Sequence, residues 1–223
     1  MSIQALADKK IYVDGFIESY KKWYAEHDNR YLDIENDDLI FYFFNEKAYA
    51  DMQLRTLWKL KANSNVAIDK KQRVEVMKWV SSEIKKYIVF GLEDNTNFDT
   101  WHKSICRQIL ELFNENLLKD KYQPMDYGKV QKLVNVTLKY LATCHNAEKY
   151  ESRFSDCHMV LDKYILNWYY EIVFPVKKSH RKAWSFLTES EYFEIQENIK
   201  NYLALYNKKP FVEEWSIFEE YKK

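Results

Sequence analysis

Apolar residues recur every three or four positions along almost the whole sequence, which is the period of an amphipathic α-helix. The helical segments that this spacing predicts lie at 10–26, from 39 onward, 52–60, 70–90, 101–113, 128–144, 161–172, 189–203 and 211–221. Residues 39–44, LIFYFF, also fit a buried strand, but the surrounding helical pattern and the lack of a partner strand favour a helix. We therefore expect an all-α protein with about nine to eleven helices.

Capping and helix-breaking residues mark the ends of the predicted helices. Asp69 is placed to cap one helix and Gly91 to end it, because glycine adopts the left-handed conformation that often terminates a helix. The other signals are Asp99 or Thr100 as the next cap, a Thr188–Glu191 capping box, and Pro175 as a helix stop. Residues 94–97 and 146–155 are predicted to be polar connections.

Composition narrows the class of protein. The 223 residues are 47% apolar and 30% charged, which is typical of a folded globular chain. Basic and acidic residues balance at 34 each, so nucleic-acid binding requires a local basic face. Three cysteines without CxxC spacing indicate neither a disulfide framework nor a zinc site, and we expect no metal and no cofactor. No signal core or membrane-length apolar run is present, which predicts a cytoplasmic protein without membrane contact.

We expect one domain over residues 1–223. The predicted connection after Gly91 also suggests a division into lobes 1–95 and 96–223.

The sequence Gly128-Lys129 begins one of the most apolar predicted helices. A lysine in the first turn of a helix lies in the positive end of the helix dipole, and this field and burial both lower its pKa. A neutral amine is a nucleophile, and backbone N–H groups near Gly128 suit a phosphate. An exposed lysine that follows a turn explains the same residues.

Asp162 lies between Leu161 and the apolar run Tyr164-Ile165-Leu166. Such a carboxylate is a good N-cap for the following helix. It also suits a cleft in which a developing positive charge has to be stabilised or a proton moved. The two roles are compatible, because a residue that caps a helix can also line an active site.

Together, the segment that begins PMDYGKVQKLVNVTLKYL and the segment CHMVLDKYIL resemble the helix-hairpin-helix DNA glycosylases. The similarity is greatest to the archaeal 8-oxoguanine glycosylase branch and to the bacterial anti-phage glycosylases related to it. It covers residues 124–170, roughly a fifth of the chain. Two departures are that the usual Gly-x-Gly of the hairpin is Asp126-Tyr127-Gly128 and that Val160 replaces a common proline.

The resemblance implies an all-α fold with two packed helical lobes and a cleft between them. It implies a monomer that flips a modified base out of double-stranded DNA, either an oxidised guanine or a hypermodified, including glucosylated, cytosine of phage DNA. Lys129 is then the nucleophile, with lyase activity as an option, and Asp162 is the charge stabiliser and proton relay. The expected DNA-binding residues are Gly128, Gln131, Lys132, His158, Lys178 and Arg181, and the expected base-stacking residues are Tyr127, Trp168 and Trp184.

Two other hypotheses stay open at the level of sequence. Arg153 and His158 fit the R-x4-H spacing of the all-helical HEPN ribonucleases, although Phe154 replaces the polar residue that usually follows the arginine. The zero net charge and abundant aromatic residues also fit a helical interaction module without catalytic activity.

Overall fold

A computed structural model describes residues 34, 38–52, 70–117, 125–144 and 146–222. The predicted helices at 10–26 and 52–60, the cap at Asp69 and the turn at Pro124 lie outside these residues, apart from Met52. The described part of the chain contains helices and no strand, which confirms the all-α prediction. It also contains no helix that is long and apolar enough to span a membrane.

The described residues form eight α-helices. They are α1 (Asp38–Asp51), α2 (Lys70–Phe90), α3 (Phe98–Glu111), α4 (Tyr127–Leu141), α5 (Glu151–Ser155), α6 (Lys163–Trp168), α7 (Glu189–Ala204) and α8 (Pro210–Tyr221). π-helical turns extend α3 (Leu112–Leu117) and α6 (Tyr169–Val173). Short 3₁₀ turns lie at Ala147–Tyr150, Lys178–His180 and Trp184–Phe186. The segment 146–155 is therefore largely helical, and its prediction as a plain connection was wrong.

Helix α4 is the central element of the fold. It is buried on nearly every side, as expected for a helix that is apolar around most of its circumference. Helices α1 and α3 pack against it, and so do α7 and the turn Trp184–Phe186. The buried apolar side chains form one cluster that extends from Ile34 to Ile217. The division into lobes 1–95 and 96–223 stays a prediction.

Two of the predicted helix ends are confirmed and one is corrected. Gly91 ends α2 with φ at +84°, and Thr188 and Glu191 form the reciprocal capping box of α7. The cap of α3 is Asn97, whose side chain accepts a hydrogen bond of 2.8 Å from the Thr100 backbone N–H. The choice of Asp99 or Thr100 as this cap was wrong, because the chain already becomes helical at Phe98.

Candidate active site at the start of α4

The first turn of α4 packs against the protein's own backbone. The Gly128 N–H donates to the Leu187 carbonyl at 3.0 Å, and a Cβ added to Gly128 would lie 1.8 Å from the Trp184 carbonyl oxygen. A glycine is therefore required here by the Trp184–Leu187 segment. We do not include Gly128 in a DNA-binding surface, because this N–H already has an internal acceptor.

Gln131 joins this turn to the residue that precedes Asp162. Its amide nitrogen donates to the Leu161 carbonyl at 2.9 Å, and its amide oxygen accepts from the Leu161 N–H at 3.3 Å. The same nitrogen donates to the Gly128 carbonyl at 2.9 Å. Gln131 is fully buried, so it does not contact phosphate in this conformation. Its function here is to hold the start of α4 against the start of α6.

Asp162 is the N-cap of α6, as its sequence context predicts. Its Oδ1 atom accepts hydrogen bonds from the backbone N–H groups of Tyr164 at 2.8 Å and Ile165 at 3.0 Å. Its Oδ2 atom accepts none from a described residue, and the side chain is half-buried. One carboxylate oxygen is thus committed to the cap of α6, and the other is not.

Lys129 and Lys132 lie one helical turn apart on α4, and both contact Trp184. Their Nζ atoms are 6.0 Å and 4.7 Å from the centre of the Trp184 ring, within the range of a cation–π interaction. Burial lowers the pKa of both lysines. The charge of Asp126 opposes this shift at Lys129, and the charges of Asp162 and Asp51 oppose it at Lys132. Lys132 therefore interacts electrostatically with Asp162.

The three expected base-stacking residues are all buried. Tyr127 is 3% exposed, Trp168 6% and Trp184 8%. The Tyr127 hydroxyl lies 3.2 Å from His102 Nδ1, and Trp168 packs edge-on against Tyr202. Tyr127 and Trp168 are core residues in this structure. Trp184 is also buried, but its ring interacts with the amines of Lys129 and Lys132.

The basic segment that follows α6 is only partly available to a ligand. Arg181 pairs with Glu171 at 3.1 Å, and Lys182 pairs with Glu191 at 2.6 Å. Lys178 is exposed and lies in a 3₁₀ turn. Of the two predicted DNA contacts in this segment, Lys178 is therefore the more accessible.

A second polar cluster surrounds His158 and includes Asp99 at the start of α3. His158 is buried, with Nδ1 2.8 Å from the Tyr192 hydroxyl and Nε2 2.7 Å from Asp99 Oδ1. Burial lowers the pKa of His158, and its hydrogen bond lowers the pKa of Asp99. Both ring nitrogens of His158 are thus engaged within the protein, which leaves neither for a DNA phosphate in this conformation.

Arg153 and His158 both line a cavity at the protein surface, but the guanidinium group of Arg153 caps a helix. It donates to the Ile88 carbonyl in the last turn of α2 and lies beside Gly91. A cation at a helix C-terminus is favourable because it complements the dipole and the unpaired carbonyls. The polar groups of Arg153 and His158 therefore have structural partners, and the ribonuclease hypothesis stays a prediction.

The sequence analysis missed the buried polar network that joins these two regions. Asn135 donates to Tyr192 at 2.8 Å and to Gln131 at 3.1 Å, and its amide oxygen lies 2.9 Å from His102 Nε2. The available signal in the sequence was the spacing of Gln131 and Asn135, which are four positions apart and therefore lie on the same face of α4. A second missed feature is the buried ion pair of Lys139 with Glu214 at 2.5 Å.

Comparisons with known proteins do not assign the chain to a family. No family model, curated protein or solved structure matches the chain.

Proposed function

We propose that this protein is a DNA glycosylase that removes a modified base, with Lys129 as the nucleophile and Asp162 as the charge stabiliser. The observation that carries the proposal is the pair of hydrogen bonds between Gln131 and Leu161, at 2.9 and 3.3 Å. These bonds hold the turn that bears Lys129 against the residue before Asp162, although the two catalytic candidates are 33 positions apart (162 minus 129).

The lowered pKa of Lys129 supports its role as a nucleophile. Its partial burial favours the neutral amine, which carries the lone pair needed for attack. In the proposed reaction this lone pair forms a bond to C1′ of the flipped nucleotide, and the bond between C1′ and the base breaks. The base leaves with the electron pair of that bond and takes up a proton.

Asp162 has the arrangement expected of a group that stabilises a positive charge. Its cap bonds fix the carboxylate through Oδ1, so that Oδ2 stays oriented without a further partner. A fixed carboxylate stabilises the positive charge that develops on the sugar as the base departs. After ring opening, the lysine adduct is a Schiff base, from which loss of the 2′ proton and the 3′ phosphate cleaves the strand.

Double-stranded DNA with a modified base is the proposed substrate, and oxidised guanine and hypermodified cytosine of phage DNA are the proposed targets. Lys178 supplies an exposed cation near the segment that packs on α4. Phosphate contacts by such residues provide sequence-independent affinity that weakens as salt increases.

The test uses duplexes that carry one 8-oxoguanine or one glucosylated hydroxymethylcytosine. We expect abasic sites in one of them, detected by alkaline cleavage, and a covalent adduct after borohydride reduction. Lys129→Gln is expected to abolish the adduct. The matched control is Lys163→Gln, which removes an exposed lysine on α6 and is expected to leave the yield unchanged.

Asp162 allows the structural and catalytic roles to be separated. Asparagine caps helices about as well as aspartate, so Asp162→Asn retains the cap and removes the charge, whereas Asp162→Ala removes both. We expect Asp162→Asn to fold with near-normal stability and to lose activity at least 100-fold, which corresponds to about 2.7 kcal/mol. Full activity in a folded Asp162→Asn variant, or intact DNA with the wild-type protein on both duplexes, overturns the proposal.

A further inference from the structure

A cavity of about 790 Å³ lies away from the candidate active site, between the ends of several helices. Its lining comes from the end of α2, the start of α3, α5, the outer face of α7 and the turn that leads to α8. Neither Lys129 nor Asp162 lines it. The volume falls within the range of about 300–1,000 Å³ that is usual for small-molecule sites.

A positioned carboxylate faces this cavity. The side chain of Asp99 is 51% exposed, while His158, to which it is bonded at 2.7 Å, is 10% exposed. His158 is held in turn by Tyr192 at 2.8 Å, and Tyr192 receives a further bond of 2.8 Å from Asn135. The core of the protein thus fixes the direction of Asp99 at the cavity wall. A fixed carboxylate accepts hydrogen bonds from hydroxyl groups of a ligand.

Cationic groups line the side of the cavity formed by α7 and the following turn. Lys200 interacts electrostatically with Asp99 and His158, and Lys209 is the residue before α8. Lys200 and Lys209 form no ion pair with a described residue, whereas Lys208 is paired with Glu213 at 2.8 Å. Asp156 and Glu197 also line the cavity. Arg153 and Lys208 line it too, but each has a partner in the protein, which leaves Lys200 and Lys209 as the cations for a ligand.

An aromatic wall completes the site. Phe193 lines the cavity and is partly exposed, and its ring is edge-on to His158 with 5.7 Å between ring centres. Aromatic side chains bind nucleic-acid bases by stacking, and they do so with little preference among bases. The cavity is therefore lined by a partly exposed aromatic ring, a carboxylate and two lysines.

We propose that this cavity binds a mononucleotide, with the base against Phe193, a ribose hydroxyl on Asp99, and the phosphate near Lys200 and Lys209. Each of the three chemical parts of a nucleotide has a matching group among these four residues. The site is separate from the proposed glycosylase reaction, because it shares no residue with that reaction's nucleophile or charge stabiliser.

Equilibrium dialysis of the 223-residue protein against labelled AMP tests the inference, with adenosine and inorganic phosphate as separate probes. We expect a Kd for AMP below about 1 mM. Adenosine and inorganic phosphate are each expected to bind at least tenfold more weakly than AMP, because each makes only part of the contacts that contribute to the binding free energy of AMP. CMP is expected to bind within about tenfold of AMP, since stacking tolerates any base.

Two variants locate the binding within the cavity. Lys200→Gln is expected to weaken AMP at least tenfold, since a hydrogen bond to a charged group is lost. Asp99→Asn retains an acceptor for His158 and removes the charge, and we expect it to weaken AMP but not inorganic phosphate. Lys163→Gln, outside the cavity, is the control. Absence of AMP binding at 1 mM, equal binding by phosphate alone, or binding unchanged in both variants overturns the inference.

Discussion

Gly128 provides the most direct test of how the candidate active site is assembled. Replacing it by alanine adds one methyl group at the second position of α4. The added Cβ would lie 1.8 Å from the Trp184 carbonyl oxygen, 2.9 Å from the Trp184 carbonyl carbon and 3.2 Å from Leu187 Cβ. Backbone atoms cannot rotate aside as the end of a side chain can, so the Trp184–Leu187 segment has to move away from α4.

The size of the effect follows from three terms. Overpacking of this kind costs about 1–3 kcal/mol. Separation of the two segments also breaks the 3.0 Å hydrogen bond from the Gly128 N–H to Leu187, which contributes about 1 kcal/mol. Alanine is preferred over glycine in a helix by about 1 kcal/mol, which opposes both losses. We therefore expect Gly128→Ala to lower the free energy of unfolding by about 1–3 kcal/mol.

Urea denaturation followed by tryptophan fluorescence measures this change. The matched control is Ser190→Ala, which places alanine at the equivalent second position of α7, where the side chain is exposed. That variant is expected to stay within about 0.5 kcal/mol of the wild type. A Gly128→Ala protein that is as stable as the wild type, or more stable, would show that Trp184 does not pack on this turn as described.

Three further predictions concern other parts of the fold. Lys139→Met is expected to cost about 3–5 kcal/mol at neutral pH, because it leaves the carboxylate of Glu214 buried and unpaired. Burial raises the pKa of Glu214, and loss of Lys139 raises it further. The destabilisation caused by Lys139→Met, measured by urea titration, should therefore decrease as the pH is lowered through the range in which Glu214 takes up a proton. Burial lowers the pKa of His102 and His158 in the folded protein. As the pH falls below 6.5, the pKa of these residues in the unfolded chain, the unfolded state takes up protons more readily than the folded state, and the free energy of unfolding decreases. The midpoint of urea unfolding is therefore expected to be lower at pH 5 than at pH 7. Gly91→Ala is expected to cost about 1–2 kcal/mol in thermal unfolding, because φ is +84° while the space around the position is open enough for a methyl group.

The sequence predicts the helices well because their signals are local. Apolar spacing, the Thr188–Glu191 capping box and the glycine after α2 each depend on a few neighbouring residues. Asp162 was recognised as an N-cap for the same reason, since its bonds reach only two and three positions along the chain. Local signals were less decisive at the start of α3, where Asn97, Asp99 and Thr100 are all good caps and the exact start of the helix selects one.

The interior of the site was not predictable, because it depends on contacts between distant positions. Gln131 was expected to reach a DNA phosphate from the first turns of α4, and it is instead buried, with hydrogen bonds to both backbone groups of Leu161, 30 residues away. Tyr127 was expected to stack on a flipped base because it is aromatic, yet its hydroxyl lies within hydrogen-bonding distance of His102 in the core. Periodicity identifies which face of a helix is buried, but it does not reveal which polar residues on that face have partners.

The packing of Trp184 connects the stability of the fold to the proposed chemistry. Its carbonyl requires glycine at position 128, and its ring lies against the amines of Lys129 and Lys132. Burial lowers the pKa of both lysines, while the cation–π interaction with the indole ring favours their charged form. Trp184 sets both the backbone of this turn and the environment of Lys129, the proposed nucleophile. Gly128→Ala is therefore expected to reduce the yield of borohydride trapping by more than it reduces the fraction of folded protein. A Gly128→Ala variant that traps DNA in proportion to its folded fraction would separate the two roles and remove Trp184 from the mechanism.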